Sequence, residues 1–249
     1  MEIKFIPQTP LALAYPPEPI KKVIPEWYKE LDNTAVKKNI FEVDGLKPVR
    51  TIKRCVPVQD YLTSGYVIKN ICDIKLARGL LNQGTKEVVH TYAHLAKEAE
   101  LPVLSTHLEK QFPLYLDGIE KTMLKFNNFF TIKTPPGYSC LFYQPFYLFE
   151  SRFTILPAIV DTDTFEEPVS FPFYINNKPE SEYEIFIEAG APLMCVLPFK
   201  RDEWNMTIGE PVRDFNNKIV KPLTKAQMIF TSMMENAYRK VFHKKKKFN

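Results

Sequence analysis

The stretch TPPGYSCLFYQPFYLFESRFTILPAIVDTDTFEEPVSFPFYINN, residues 134–177, decides the fold class. Its apolar residues alternate or run for strand-like lengths, and Pro, Asp or Asn interrupts them every few positions. Pro136 presets φ and Gly137 accepts a positive φ, so TPPGYS at 134–139 predicts a tight turn. SCLFYQPFYLF, RFTILPAIVD, PVSFPFYIN, YEIFIEAG and PLMCVLPF then predict short strands out to residue 200. Closely spaced strands with helices kept outside them predict a mainly β fold, an antiparallel sandwich or barrel-like body, rather than a βαβ sheet. Rings alternating along 142–149 would face both sides of a strand, so one face needs a cover: a second sheet, another subunit or a ligand, and a homo-oligomer or protein partner is expected, with a small-molecule ligand as a further option.

Upstream, RTIKRCVPV at 50–58, SGYVIKNICDIKL at 64–76 and TMLKFNNFFTIKT at 122–134 also read as strands. Two helices are expected at the periphery. Thr85 to Glu100 places Val88, Tyr92, Leu95 and Ala99 on one stripe. Thr224 to Gln227 is a capping box that opens a second helix to about Phe242, with Ala226, Phe230, Met233, Ala237 and Val241 along one face. Pro7, Pro10, Pro16, Pro17, Pro19 and Pro25 forbid a helix or a central strand over residues 1–25, so an extended arm is expected there, packed through Ile6, Leu11, Leu13, Tyr15, Ile20 and Ile24. PEWYKEL at 25–31 adds a short helix with proline at its start, and 32–47 reads as a polar connection. The expected organisation is a proline-rich arm over 1–48, a β-rich core over 49–201 with an inserted helix at 85–100, and an extended segment, helix and basic tail over 202–249.

Composition narrows the function. Only 8 of 249 residues are glycine, against an ordinary share of about 7%, which argues against repeated glycine-rich phosphate loops. The 21 prolines argue against a helical bundle. The formal net charge is +4, and the four lysines Lys244 to Lys247 account for all of it. A nucleic-acid surface needs positive charge clustered on the fold itself, so no strong nucleic-acid signal is present. Cys55, Cys72, Cys140 and Cys195 are too far apart for a zinc-type pair; Cys140 and Cys195 lie in strand-like runs, where a reduced thiol acts as a small hydrophobe. With no basic segment before a long apolar run at the N-terminus, and no apolar stretch of membrane-spanning length, the expected compartment is the cytoplasm, with no membrane partner.

Several constellations have the residue types of chemistry. His90 and His94 stand at the helical i, i+4 spacing of metal sites, opposite the apolar stripe, beside Glu87 and Glu98. His107 and Glu109 have the His-x-acid form of an iron facial triad, which also needs a distant histidine, here His243. A metal-dependent enzyme built on His90, His94 and His107 is therefore an alternative, although no cofactor or metal is assigned. Gly79 to Lys86 approaches a P-loop with Thr85 and Lys86 reversed, which turns the lysine by about 100° on a helix. Asp161 and Asp163, with Arg152 nearby in sequence, are the candidate catalytic residues; both aspartates also suit a turn between strands.

The order of strands over 134–200 resembles that of dUTPase and dCTP deaminase enzymes. That resemblance implies a nucleotide-processing hydrolase in which Asp161 orients a water, Arg152 contacts phosphate and Phe165 stacks on the sugar. The arginine-serine-glycine motif of those enzymes is absent, and no glycine follows Phe165. Arg54-Cys55-Val56-Pro57, Ser64 to Ile68, Thr134 to Tyr138, Val160 to Asp163, Phe171 to Ile175 and Glu188 to Cys195 together resemble an uncharacterised family of bacteria and tailed phages, over about residues 50–200. Where that family usually has tryptophans after the acidic segment, Thr164 and Phe171 stand here. The resemblance implies a fold and no activity, and it widens the expected setting to a host cytoplasm or a virion. The leading expectation is a β-rich binding or assembly protein without a clear catalytic motif.

Overall fold

Burial with a period of two organises the chain. The computed structural model describes residues 1–36, 48–80, 86–92, 102–107, 123–176, 182–210, 239 and 243–249. The strands are β1 (Lys4–Pro7), β2 (Glu18–Pro19), β3 (Thr34–Val36), β4 (Pro48–Arg50), β5 (Tyr66–Lys69), β6 (Ile74–Leu80), β7 (Lys86–Tyr92) and β8 (Leu104–Thr106). They continue with β9 (Leu124–Phe126), β10 (Phe130–Lys133), β11 (Tyr138–Tyr143), β12 (Phe153–Ile155), β13 (Ala158–Val160), β14 (Phe171–Ile175), β15 (Tyr183–Ile187) and β16 (Pro192–Lys200). The α-helices among the described residues are α1 (Glu26–Glu30) and α2 (Val56–Thr63).

All described pairings are antiparallel. One sheet has the order β13-β11-β16-β5-β2, a second β12-β14-β9-β8 and a third β15-β6-β7, with β1–β10 and β3–β4 as separate pairs. The fold is mainly antiparallel β with few helices, as the punctuated apolar runs predict.

The chain groups into two units. The first gathers residues 1–26, 63–201 and 248–249, and it holds the main core. On β14, Phe171, Phe173 and Ile175 are buried while Pro172 and Tyr174 are only partly so. Phe173 stacks on Phe126 at 4.1 Å between centroids, and Phe153 meets both rings edge-on. Phe142 of the five-stranded sheet reaches Phe171 of the four-stranded one at 5.9 Å. The proline-rich segment is built into this unit: β1 pairs with β10, Ala12 is fully buried, and β2 extends the five-stranded sheet beside β5. Gly65 has φ +95°, and a Cβ there would stand 2.5 Å from the Val196 carbonyl oxygen, so the turn into β5 admits no side chain.

The second unit gathers residues 27–62 and 202–247. It includes β3, β4 and α1, whose Tyr28 is buried and donates to the Lys53 carbonyl. Asp60 on α2 accepts from Lys246 and pairs with His243 at 2.9 Å. Burial pushes the Asp60 carboxyl up, but these two partners outweigh it and hold it below its ordinary value.

Three expectations are corrected. The helix expected over 85–100 is a strand where the structure describes it: β7 pairs along its whole length with β6, from Ile74↔Tyr92 to Leu80↔Lys86. Cross-strand pairing wins over the helical stripe because Val88, Val89 and Thr91 are β-branched; residues 93–101 lie outside the described residues. RTIKRCVPV is not a strand over Ile52–Val58 but a 3-10 turn at Ile52–Arg54 followed by α2, with Pro57 in the first helical turn, where its missing N–H does no harm. The aromatic run at 142–149 leaves the sheet after Tyr143, and Phe146–Leu148 form a 3-10 turn. The helix expected from Thr224 to about Phe242 lies outside the described residues except at Arg239.

Phe173 is fully buried in the ring cluster, whereas Phe186 on β15 is 49% exposed. Phe173→Ala is expected to lower unfolding stability by about 3–5 kcal/mol, and Phe186→Ala by under about 1 kcal/mol, read from denaturant midpoints.

Candidate functional site

The acidic turn forms where three neighbouring strands come together. β13 ends at Val160 opposite Cys140 of β11, and β16 ends at Lys200 opposite Tyr138 at the start of β11. Antiparallel register therefore brings the residues after β13, those before β11 and those after β16 to one corner. Arg201, directly after β16, joins them. Its amide donates to the Gly137 carbonyl at 2.8 Å. Its guanidinium donates to Asp163 Oδ1 at 2.8 Å and Oδ2 at 2.5 Å, and its Nη1 lies 3.1 Å from Asp161 Oδ1. The Ser139 hydroxyl donates to Asp161 Oδ1 at 2.6 Å and accepts from Arg201 Nη1 at 3.1 Å. The Gly137 amide adds a third donor to Asp163, at 2.8 Å to Oδ2.

The backbone of the turn is docked as firmly. Thr164 and Phe165 amides donate to the Asp161 carbonyl at 3.1 and 2.9 Å. Thr162 is 1% exposed, with its hydroxyl 2.8 Å from that of Thr134 and 3.3 Å from Cys140 Sγ. The Arg201 guanidinium, then the Gly137 amide, hold the Asp163 carboxyl down to about 2. A carboxylate with both oxygens occupied by charge-assisted donors makes a poor general base. Asp161 differs: its side chain is 60% exposed, and Oδ2 has no partner among the described residues.

Arg152 belongs elsewhere. It grips Glu150 through Nε at 2.8 Å and Nη2 at 2.6 Å, and Nη1 donates to the Phe186 carbonyl. Although burial pushes the Glu150 carboxyl up, the bonds from Arg152 hold it below its ordinary value. The structure thus brings Asp161 and Asp163 together around Arg201, and Arg152 to Glu150. Phe165 sits in the acidic turn, 42% exposed. Arg201 was not singled out from the sequence; its signal is the register, which sets the residue after β16 against the turn before β11.

The histidines are dispersed or outside view. His90 lies on β7, so helical spacing to His94 has no bearing, and His94 and Glu109 lie outside the described residues. His107 follows β8, its amide donating to the Met123 carbonyl at 3.0 Å. His243 pairs with Asp60. Among the described residues no group of three His, Cys, Asp or Glu side chains gathers as metal ligands would. Gly79 and Lys86 lie on β6 and β7, so the P-loop-like segment leads into a strand and lacks the helix N-terminus that would cradle phosphate. Cys72, Cys140 and Cys195 are buried; burial pushes the Cys72 thiol up to about 11 and that of Cys195 to about 12, which makes both inert as nucleophiles.

A cavity of about 20 Å³ lies between β5, the segment after β9 and the start of β16, against Asn70, Asn128, Phe129 and Leu193. It holds about one water, since a water needs some 10–15 Å³ measured this way. Neither aspartate of the acidic turn lines it, nor does Arg152. No helix among the described residues is long and apolar enough to cross a membrane.

Three highly exposed large apolar side chains follow Arg201 in sequence. Residues 202–210, DEWNMTIGE, have no described helix or strand, and Trp204, Met206 and Ile208 are 90%, 88% and 91% exposed. No family model matches the chain, and no curated protein matches it.

With Asp163 held at about 2 against an ordinary 3.8, its contribution to stability is complete above the unfolded value and is lost as pH falls toward the folded one. Asp163→Asn is expected to lower stability at neutral pH and to flatten the fall in stability between pH 3.8 and 2, followed by denaturant unfolding across that range.

Proposed function

We propose that the chain is a β-rich binding and assembly protein that acts by self-association, and that its acidic corner is an anchor rather than reaction machinery. The observation that carries this reading is the apolar segment after Arg201. Three large side chains, each about nine-tenths exposed, forgo about 1.5–3 kcal/mol apiece of burial energy in a lone chain. A partner surface recovers it. The five- and four-stranded sheets, which touch through Phe142 and Phe171, are read as the two layers of a sandwich-like body.

A second reading, hydrolysis of a nucleotide-type substrate, has one observation in its favour: the exposed Oδ2 of Asp161 could orient a water. It lacks a phosphate-binding guanidinium at the same place, because Arg201 is already engaged by Asp163 and Arg152 by Glu150.

Sedimentation velocity of the full chain over a wide concentration range tests the assembly reading. The expected result is a mass that rises above the 29.0 kDa of one chain as concentration increases. A single species of 29.0 kDa at every concentration would overturn it.

A further inference from the structure

Charge divides unevenly between the two units. Residues 27–62 and 202–247 hold 17 Lys and Arg against 10 Asp and Glu, a net of +7, whereas the first unit holds 16 against 19, a net of −3. With Lys244 to Lys247 left out, the second unit still carries +3. The zero balance of the chain without these lysines therefore hides a cationic module, the footprint of polyanion binding. We propose that the second unit binds the phosphate backbone of nucleic acid, without regard to sequence, and that Lys244, Lys245 and Lys247 are its principal contacts.

Asp60 on α2 holds the lysine run in place. Its carboxylate accepts from Lys246 and pairs with His243 at 2.9 Å, so the run is fixed to the unit at two residues. The Lys246 ammonium is thereby taken up within the chain. Among the described residues of this unit the other cations also have partners: Lys53 donates to the Lys29 carbonyl, Arg239 donates to Gln59, and Lys29, Arg50 and Arg54 are engaged as well. Lys244, Lys245 and Lys247 are exposed and have no partner among the described residues. Three cations held near one another lose less freedom on meeting a row of phosphates than a loose tail would. Each phosphate they neutralise also releases counterions. Asp60 is thus a positioning residue, and the three lysines make the contacts.

The chemistry of the run favours nucleic acid over a protein or a bilayer. No apolar residue stands between His243 and Phe248, so the run offers charge alone. Protein interfaces draw their core from apolar and aromatic side chains and are depleted in lysine. A lysine run holds to a membrane only with a second signal, apolar or lipid. Phe248 does not supply one: its ring meets Tyr66 edge-on at 6.0 Å, and its carbonyl accepts from Lys21 at 2.9 Å. Trp204, Met206 and Ile208 are exposed but stand among Asp202, Glu203 and Glu210, which repel anionic headgroups and phosphates alike. That segment belongs to the assembly reading, from which phosphate binding is independent. A nucleic-acid backbone asks only for closely spaced positive charge.

Fluorescence anisotropy of the full chain with a labelled mixed-sequence DNA duplex, repeated over a range of salt, tests it. Three neutralised phosphates give a slope of log K against log salt of about −2.7. Lys244→Ala, Lys245→Ala and Lys247→Ala are each expected to make that slope shallower by about 0.9, and the triple variant to bind about a hundredfold more weakly at low salt. Lys246→Ala is expected to leave the slope nearly unchanged, because Asp60 already holds that ammonium. All four lysines are exposed, so these variants are expected to fold. Equal effects from all four lysines, a triple variant that binds as the wild type does, or no binding at low salt would overturn the proposal. Tighter binding to polyglutamate, or to vesicles of equal parts phosphatidylserine and phosphatidylcholine, than to the duplex would overturn it too. None of these results bears on whether the chain self-associates.

Discussion

One guanidinium ties the end of the sheet together. Arg201 meets two carboxylates, a serine hydroxyl and a turn carbonyl at the point where β13, β11 and β16 share an end. The partners come in two pairs, Gly137 with Ser139 and Asp161 with Asp163, far from each other and from Arg201 in sequence. They meet because antiparallel register makes the start of β11 and the ends of its two neighbours coincide. The ion pairs then fix both the turn after β13 and the direction in which the chain leaves β16.

On the proposed reading, this acidic pair, which looks like chemistry, is architecture. Asp163 is saturated by donors, and the turn backbone around it is pinned to Thr134, Gly137 and Cys140. Catalytic carboxylates need a lone pair directed at a reacting atom and room for that atom. Here one carboxylate has no such lone pair, and the cavity described lies away from both. The apolar segment beyond Arg201 has the opposite character: Trp204, Met206 and Ile208 are each about nine-tenths exposed.

Much of the β architecture was legible wherever proline, glycine or aspartate cut the apolar runs to strand length. β11 to β16 follow the punctuation of 134–200 closely, since a period of two with one buried face leaves a strand little freedom of register. The region around β7 was not legible, because Thr85 to Tyr92 carries a helical stripe and a β-branched alternation at once. Its hairpin partner β6 decides between them, and pairing is a non-local fact. Pro57 misled for a related reason: proline punctuates a strand but also starts a helix, and only the residues after it, packed as α2, select the second meaning. The acidic turn was visible as a turn. Its partner was not, since Arg201 becomes meaningful only once β11 and β16 are in register.

The central claim is that the corner is rigid by itself while the segment after it is ordered by a second copy. Amide hydrogen exchange measured at low and high protein concentration separates these directly. The account predicts protected amides at Gly137 and Arg201 throughout, with residues 203–209 exchanging freely when dilute and becoming protected as concentration rises. Protection of 203–209 in the dilute chain, or free exchange there at every concentration, would contradict it.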